Sequence, residues 1–372
     1  MSISNSITEI NDVRLHKDFK GITFSEFKRS DVKKELLSSL IKSKIEPACY
    51  WSAEFVCAGL YSELWDIIIF FYSKYVHLGN PKMANYLELR IQQFKEIVQN
   101  GYINQELRMR NNSRIRNLFG EIICVLCEAE RKHSFDEIKI KITDFDMTQL
   151  NEKLKAPNLY YAKNVFLKED PTELYVAVNE LCFHLSKDSK SIIDVCYWIE
   201  WIMEFENVCR AKRDKCVCER RSNIPVDSKF QLDIVWIIWE AFMREIDFDP
   251  IHKKIKKKVI DSLLSLFVLK YTPTTYKKRK FIMYFVASIL VEPVHWNEVI
   301  VKDKTKEKIA SIITKMDSIY KQIKHNEKSP NTDYLFKNLN QSNLEKTIEK
   351  LEAMNTLEEK FTPRTSISSP NL

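Results

Sequence analysis

The chain has 372 residues, and its 58 Lys and Arg against 51 Asp and Glu give a formal net charge of +7. A hydrophobic fraction of 45% and a charged fraction of 29% are ordinary for a globular protein and exclude wholesale disorder, collagen-like repeats and low-complexity classes. All 5 glycines lie before residue 121. Because barrels, sandwiches and doubly wound sheets use many glycine turns, this composition favours an all-α fold.

Helices joined by short turns are predicted in the first third of the chain. We expect residues 1–23 to form a flexible N-terminus, and apolar residues at helical spacing predict a helix over 31–45. Pro47 and Gly59 bound the next helix, because proline suits a first helical turn and glycine suits the position after the last. Breaks this short predict antiparallel helical hairpins. Further helices are expected over 62–75, over 81–99 and, as a pair, within 105–131.

The stretch 132–158 is the least helical part of the sequence. Ile138-Lys-Ile-Lys-Ile142 alternates apolar and charged residues, as a half-exposed strand would. We expect at most a short strand pair near 138–142, or an extended connector. A domain boundary is placed here, between an N-terminal helical domain over 24–145 and a C-terminal helical domain over 146–328.

Helix-start signals are strong in the second half. Asp170-Pro-Thr-Glu173 places a cap, a first-turn proline and a third-position glutamate in order, and Asp249-Pro250 repeats the first two. Residues 329–372 are expected to hold a terminal helix from Ser342 and a disordered tail. With those of the first half, the helices number about a dozen; they are predicted over 171–186, 189–213, 228–246, 250–270, 275–291 and 303–327.

Two tryptophan pairs occur in similar segments of the second half. Trp198 and Trp201 are three residues apart, as are Trp236 and Trp239, so each pair faces one side of a helix. The pairs could form a stacking platform for bases or a peptide groove, but the surrounding Ile, Val, Met and Phe favour the core. The recurrence also suits a helical repeat, which two copies are too few to establish.

The nine cysteines predict reduced, buried thiols in a protein that is not secreted. Their number is odd, most lie in apolar stretches, and no signal peptide is visible at the N-terminus. Zinc is disfavoured because Cys216 and Cys218 form one C-x-C without a second knuckle. We therefore expect no metal and no cofactor. The residues weighed as zinc ligands are Cys182, His184, Cys209, Cys216 and Cys218.

Catalysis and membrane insertion find little support in the sequence. None of GxGxxG, GxxxxGK[ST], HExxH or GxSxG occurs. The carboxylate pairs Asp144/Asp146 and Asp247/Asp249 precede predicted helices, where caps are the better interpretation than a metal site. The longest apolar run, 281–291, is well short of the about 20 residues that span a bilayer. The sequence predicts a protein that is not an enzyme and has no transmembrane segment.

The basic charge is concentrated in the C-terminal third. Between residues 249 and 328 there are 18 Lys and Arg against 8 Asp and Glu, a net charge of 18 − 8 = +10. Such runs can neutralise phosphates without reading sequence, or can be solvated helix faces or a membrane-surface helix. Arg108-Met-Arg-Asn-Asn-Ser-Arg-Ile-Arg116 adds a third cluster. The candidate polyanion-binding residues are Lys253, Lys254, Lys256, Lys257, Lys258, Lys277, Lys278, Arg279 and Lys280.

Several short segments resemble conserved uncharacterised proteins of nucleocytoplasmic large (giant) DNA viruses. They include Trp51-Ser-Ala-Glu-Phe-Val-Cys-Ala-Gly59, His77-Leu-Gly-Asn-Pro81 and Ile224-Pro-Val-Asp-Ser-Lys-Phe230. The resemblance covers about 19–324 and brings no catalytic motif. It implies synthesis in host cytoplasm and a role in the viral factory or the virion.

We therefore expect a protein that acts by binding. The first hypothesis is a helical protein-interaction or structural component of a viral factory or particle, with other viral proteins as partners. The alternative is a sequence-independent accessory that binds DNA or RNA through the basic runs in viral replication or packaging. A salt titration separates the two, because phosphate contacts make affinity fall steeply with salt.

Overall fold

The described part of the chain has an all-α fold, as predicted. The computed structural model describes residues 8–214, 216–248 and 251–328, and these contain no strand or sheet. Two isolated bridges occur there, Ile22 with Lys28 and His77 with Lys132. Residues 133–141 belong to no helix or strand. The alternating segment is therefore a connector and not a strand pair.

Fourteen α-helices lie in the described ranges, somewhat more than the dozen expected, and short 3₁₀ turns and a π-helical turn at Tyr72–Val76 connect some of them. Successive helices with short connections pack on each other, as Arg29–Ile41 does on Ile45–Cys57 and Tyr175–Leu185 on Ile192–Lys212, which is the expected hairpin arrangement. The helices are α1 (Arg29–Ile41), α2 (Ile45–Cys57), α3 (Tyr61–Phe71), α4 (Met83–Gln99), α5 (Ser113–Glu128), α6 (Met147–Asn151), α7 (Tyr175–Leu185), α8 (Ile192–Lys212), α9 (Val235–Ile246), α10 (Lys253–Phe267), α11 (Thr275–Lys278), α12 (Lys280–Val291), α13 (Asp303–Thr314) and α14 (Met316–Lys324).

The predicted domain boundary near residue 145 does not divide the structure. One compact unit contains Arg14–Glu327 and the described residues before Asn11, and the described part of a second unit is Asn11–Val13 and Lys328. Within the first unit, α4 packs on α10, α5 on α13 and α2 on α14. Helices from both sides of the boundary bury their apolar faces against each other, so a single core results.

The predicted flexible N-terminus over 1–23 can be compared with the structure in part, and the predicted C-terminal segment over 329–372 cannot. Ile10 and Phe19 are buried in the core, so the described part of 1–23 is not a free flexible segment. The expected terminal helix and tail over 329–372 lie outside the described residues. The Asp249-Pro250 helix start also lies outside them.

Helix α12 lies in the middle of the second half of the fold. Its residues Phe281–Val291 are all buried, and it packs against α7, α8, α9 and α10. This confirms a core helix rather than a membrane-surface one for the longest apolar run. In the described ranges, no helix combines the length and the apolar character needed to cross a membrane.

The tryptophan pairs belong to the core, which confirms that interpretation. Trp236 and Trp239 are fully buried, and Trp198 and Trp201 are nearly so. The indole Nε1 of Trp236 donates to the carbonyl oxygen of Phe230 at 2.6 Å. The pairs are therefore closed to a base or a peptide.

The acidic helix-start signals give one confirmed cap and one correction. Asp146 caps α6, since its Oδ1 accepts from the backbone N–H of Thr148 at 3.0 Å. Asp170 caps no helix. Its carboxylate forms a bidentate pair with the guanidinium of Arg221, with both N–O distances 2.7 Å, in a fully buried position. A local capping signal was overridden by a charge partner that is distant in sequence.

Candidate polyanion-binding site

Five of the nine candidate residues lie together at the beginning of α10. We call Lys253, Lys254, Lys256, Lys257 and Lys258 the α10 lysine row; Lys256 is half-buried and the other four are exposed. They point outward because the apolar residues of α10 face the core. The first turn of α10 contains no acidic residue. Cations at this end of a helix oppose its macrodipole at a cost of a few tenths of a kcal/mol each.

The four candidates of the second basic run, 277–280, are mostly held by groups of this chain. Arg279 is 5% exposed, and its Nη2 lies 2.7 Å from Oδ1 of Asp66 on α3. Its Nη1 also donates to the carbonyl oxygen of Phe267 at 2.9 Å. Arg279 therefore ties the start of α12 to α3 and to the end of α10.

Lys280 and Lys277 are likewise paired inside the fold. The Nζ of Lys280 lies 2.6 Å from Oε1 of Glu137 and 3.2 Å from Oε1 of Glu200. Burial raises the pKa of Glu200, and the nearby Lys280 opposes that rise. Lys277 donates to the amide oxygen of Asn207. Of the second run, Lys278 alone is exposed.

The arginine cluster between residues 108 and 116 is half internal. Arg110 and Arg116 are buried, and the guanidinium of Arg116 lies 4.1 Å from the ring centroid of Tyr320. Arg108 and Arg114 are exposed. Of the three basic clusters in the sequence, only the α10 lysine row presents most of its charge to solvent.

A cavity of about 610 Å³ opens beside this row. We call it the α7–α9 cavity, because the C-terminal ends of α7 and α9 form its walls together with residues 160–165 and Lys256. Tyr160 and Phe248 line it and are 75% and 74% exposed. Its charged lining comprises two carboxylates, Asp188 and Glu245, and four cations, Lys187, Lys190, Arg244 and Lys256.

Glu245 is the chemically unusual residue of the cavity. Burial raises its pKa to about 7 and Asp188 adds to that rise, whereas Lys190 and Lys256 oppose it. Within the described residues its carboxylate has no hydrogen bond or ion pair, although Asp188 accepts from the hydroxyl of Tyr161 at 2.8 Å. A half-buried carboxylate without a donor keeps only part of its hydration, which favours its protonated form.

Two of the residues weighed as zinc ligands, Cys218 and His184, have other partners in the fold. The thiol of Cys218 donates to the carbonyl oxygen of Asp233 at 3.3 Å, and Nδ1 of His184 lies 2.8 Å from Oγ of Ser189. Burial raises the pKa of both Cys182 and Cys218 to about 12. All nine cysteines are free thiols. Among the described residues, no group of three or more His, Cys, Asp and Glu could hold a metal ion.

Comparison of the chain with family models, with curated proteins and with solved structures finds no match. The residues themselves therefore carry the functional argument. The sequence pointed to the α10 lysine row but not to the α7–α9 cavity, whose walls come from separate segments. No local motif signals Glu245, since its environment exists only after α7, α9 and α10 have packed.

Proposed function

We propose that this chain is a non-enzymatic binding protein that contacts nucleic acid through the α10 lysine row, whose phosphate contacts carry no sequence preference. The observation that carries the proposal is four exposed lysines within the first two turns of a helix that has no acidic residue in its first turn. These charges repel one another and oppose the helix dipole, although Asp247, whose Oδ1 lies 2.9 Å from Nζ of Lys253, offsets one of them. Phosphate groups would relieve both costs and would release counterions on binding.

Single-stranded nucleic acid suits this surface better than a duplex. Phe248 precedes the row in the chain, Phe248 and Tyr160 both line the α7–α9 cavity, and both rings are largely exposed. Aromatic side chains beside a basic groove are the usual means of holding a strand, because every base has a face that can stack. In the setting implied by the resemblance, the protein would be an accessory of viral replication or packaging.

A protein-interaction or structural role in a viral factory or particle is the second candidate. It is favoured by a group of exposed apolar side chains near the row: Leu159 at 54%, Tyr160 at 75%, Phe248 at 74% and Ile251 at 84% exposed. Apolar anchors surrounded by charge are common in protein interfaces. A partner at this surface would need apolar contacts ringed by acidic residues.

A salt titration of single-stranded DNA binding tests the first candidate. With four phosphate contacts and a slope of about −0.7 per contact, affinity should fall about 50-fold between about 50 and 200 mM salt. Replacing Lys253, Lys254, Lys257 and Lys258 with Gln should remove most of this binding.

The matched control replaces four exposed lysines of another surface, Lys20, Lys33, Lys34 and Lys42, with Gln. Its affinity should stay near that of the wild type. Absence of DNA binding by the wild type at low salt, or equal loss in both variants, would refute the first candidate. Stoichiometric presence of the chain in purified particles, found by mass spectrometry, would then support the second.

A further inference from the structure

We propose that the α7–α9 cavity binds one nucleotide, with its base against Phe248 and Tyr160, its N–H edge on Glu245 and its phosphate towards Lys190 and Lys256. The inference deepens the proposed function and rests on it for the class of ligand. It names the place where one unit of a bound strand, or a free mononucleotide, would be held.

The size and walls of the cavity suit a ligand of this kind. Its volume of about 610 Å³ lies within the roughly 300–1,000 Å³ of small-molecule sites. Leu185, the last residue of α7, and Ala241, in the middle of α9, give it apolar lining, and both residues are buried in the core. The cavity is thus fixed by helix packing and exists before a ligand arrives.

The cations of the cavity alone would not identify a ligand. Lys187 and Lys190 follow the C-terminal end of α7, where positive charge is favourable without any partner. Arg244 is already engaged, since its Nε donates to the carbonyl oxygen of Asn164 at 2.7 Å. Lys256 also lines the cavity, and it lies near the opposite, unfavourable end of α10.

Glu245 limits the chemistry of the ligand. It lies in the last turn of α9, where the helix dipole disfavours an anion, and it is half-buried beside a second carboxylate, Asp188. Burial, the helix dipole and Asp188 therefore disfavour its charge, and Lys190 and Lys256 offset them only in part. Within the described residues, no donor of this chain hydrogen-bonds its carboxylate. A ligand that fits must bring N–H donors to Glu245 and an anionic group to Lys190 and Lys256.

A nucleotide combines these features in one molecule. Its base stacks on aromatic rings, its phosphate pairs with lysine, and the edge of the base carries N–H groups. Guanine presents two adjacent N–H donors, N1–H and N2–H, which match the two oxygens of one carboxylate. Uracil presents a single N–H between two carbonyl acceptors, which a carboxylate repels. The cavity should therefore prefer guanine to uracil.

Calorimetric titration of the full-length chain with GMP and with UMP tests this inference. We expect GMP to bind at least about tenfold more tightly than UMP, the discrimination typical of a bidentate contact. Glu245→Gln should remove this preference, whereas Glu240→Gln, on the same helix but outside the cavity, should keep it. Phe248→Leu, at an exposed position, should weaken both nucleotides without affecting folding.

Two further measurements distinguish a unit of a strand from a free mononucleotide, and failure of the cavity inference from failure of the proposed function. If G-rich strands are preferred to U-rich strands in a Glu245-dependent manner while free GMP does not bind, the cavity holds a unit of a strand. Lys254→Gln with Lys258→Gln, which do not line the cavity, should weaken strand binding and leave GMP binding unchanged. Strand binding with no base preference and no GMP binding overturns the cavity inference alone. GMP binding without strand binding overturns the proposed function alone.

Discussion

The two basic runs of the C-terminal third look alike in sequence and have opposite positions in the fold. The α10 lysine row begins an amphipathic helix whose apolar face packs on the core, so the lysines remain outside. The run 277–280 leads into α12, which begins at Lys280 and whose residues Phe281–Val291 are all buried. The first residues of a fully buried helix enter the protein with it, and Arg279 and Lys280 are then paired with carboxylates. The apolar pattern that follows a basic run thus decides whether its charge reaches solvent.

Replacing Arg279 with Met should give the largest loss of stability. It would leave Asp66 without its cation and the carbonyl oxygen of Phe267 without a donor. Since Asp66 is partly exposed, we expect a loss of about 3 kcal/mol, the lower part of the range for broken buried pairs. Urea unfolding measures it, with Lys278→Met as the control. A loss as small as that of the control would place Arg279 on the surface and remove the contrast between the runs.

Replacing Lys280 with Met should cost less and should depend on pH. Burial raises the pKa of Glu200. A carboxyl group whose pKa is raised in the folded state contributes stability at low pH, and this contribution is lost as the pH rises through the folded-state pKa. Without Lys280, that pKa rises further. We expect a loss of about 1–2 kcal/mol at pH 8 and a smaller one at pH 5. Equal losses at both pH values would show that Lys280 does not interact with ionised Glu200.

Replacing lysines of the α10 lysine row should increase stability, whereas replacing Arg279 or Lys280 should decrease it. Replacing Lys253, Lys254, Lys257 and Lys258 with Gln removes repulsion between neighbouring lysines and relieves the helix dipole. We expect the free energy of unfolding to rise by about 0.5–1 kcal/mol, measured by urea unfolding at low salt. A loss of stability would mean that these lysines support the fold and are not kept for a partner.

Glu245→Gln should give the smallest change in stability, and the sign of that change is informative. With the pKa of Glu245 raised to about 7, the folded state retains a proton that the unfolded state has lost between about pH 4.5 and pH 7. Stability from this group therefore decreases as pH rises through that window. The variant should melt slightly above the wild type at pH 8 and should differ least near pH 4.5. A lower melting temperature at pH 8 would indicate that ionised Glu245 stabilises the fold.

Much of the fold was predictable because its signals are local. Scarce glycine and apolar residues at helical spacing predict the all-α class, and Asp146 caps a helix where its sequence position suggests a cap. Long-range pairing was not predictable. Asp170 has its partner Arg221 51 residues away, and the cap signal around it was misleading for that reason.

The candidate site shows the same division between local and long-range signals. Charge density located the α10 lysine row, since a run of lysines is visible in any window of the sequence. The carboxylates that engage the second run, Asp66, Glu137 and Glu200, lie far from it along the chain. Glu245 became notable only through the packing of α7, α9 and α10, which no single segment of sequence contains.

Lysine labelling followed by mass spectrometry, with and without a single-stranded oligonucleotide, tests the difference between the two runs most directly. In the free protein, Lys253, Lys254, Lys257, Lys258 and Lys278 should react quickly and Lys280 slowly, as their exposure predicts. The oligonucleotide should slow labelling of the four α10 lysines and leave Lys278 unchanged. Rapid labelling of Lys280, or equal labelling of the α10 lysines with and without the strand, would contradict the account.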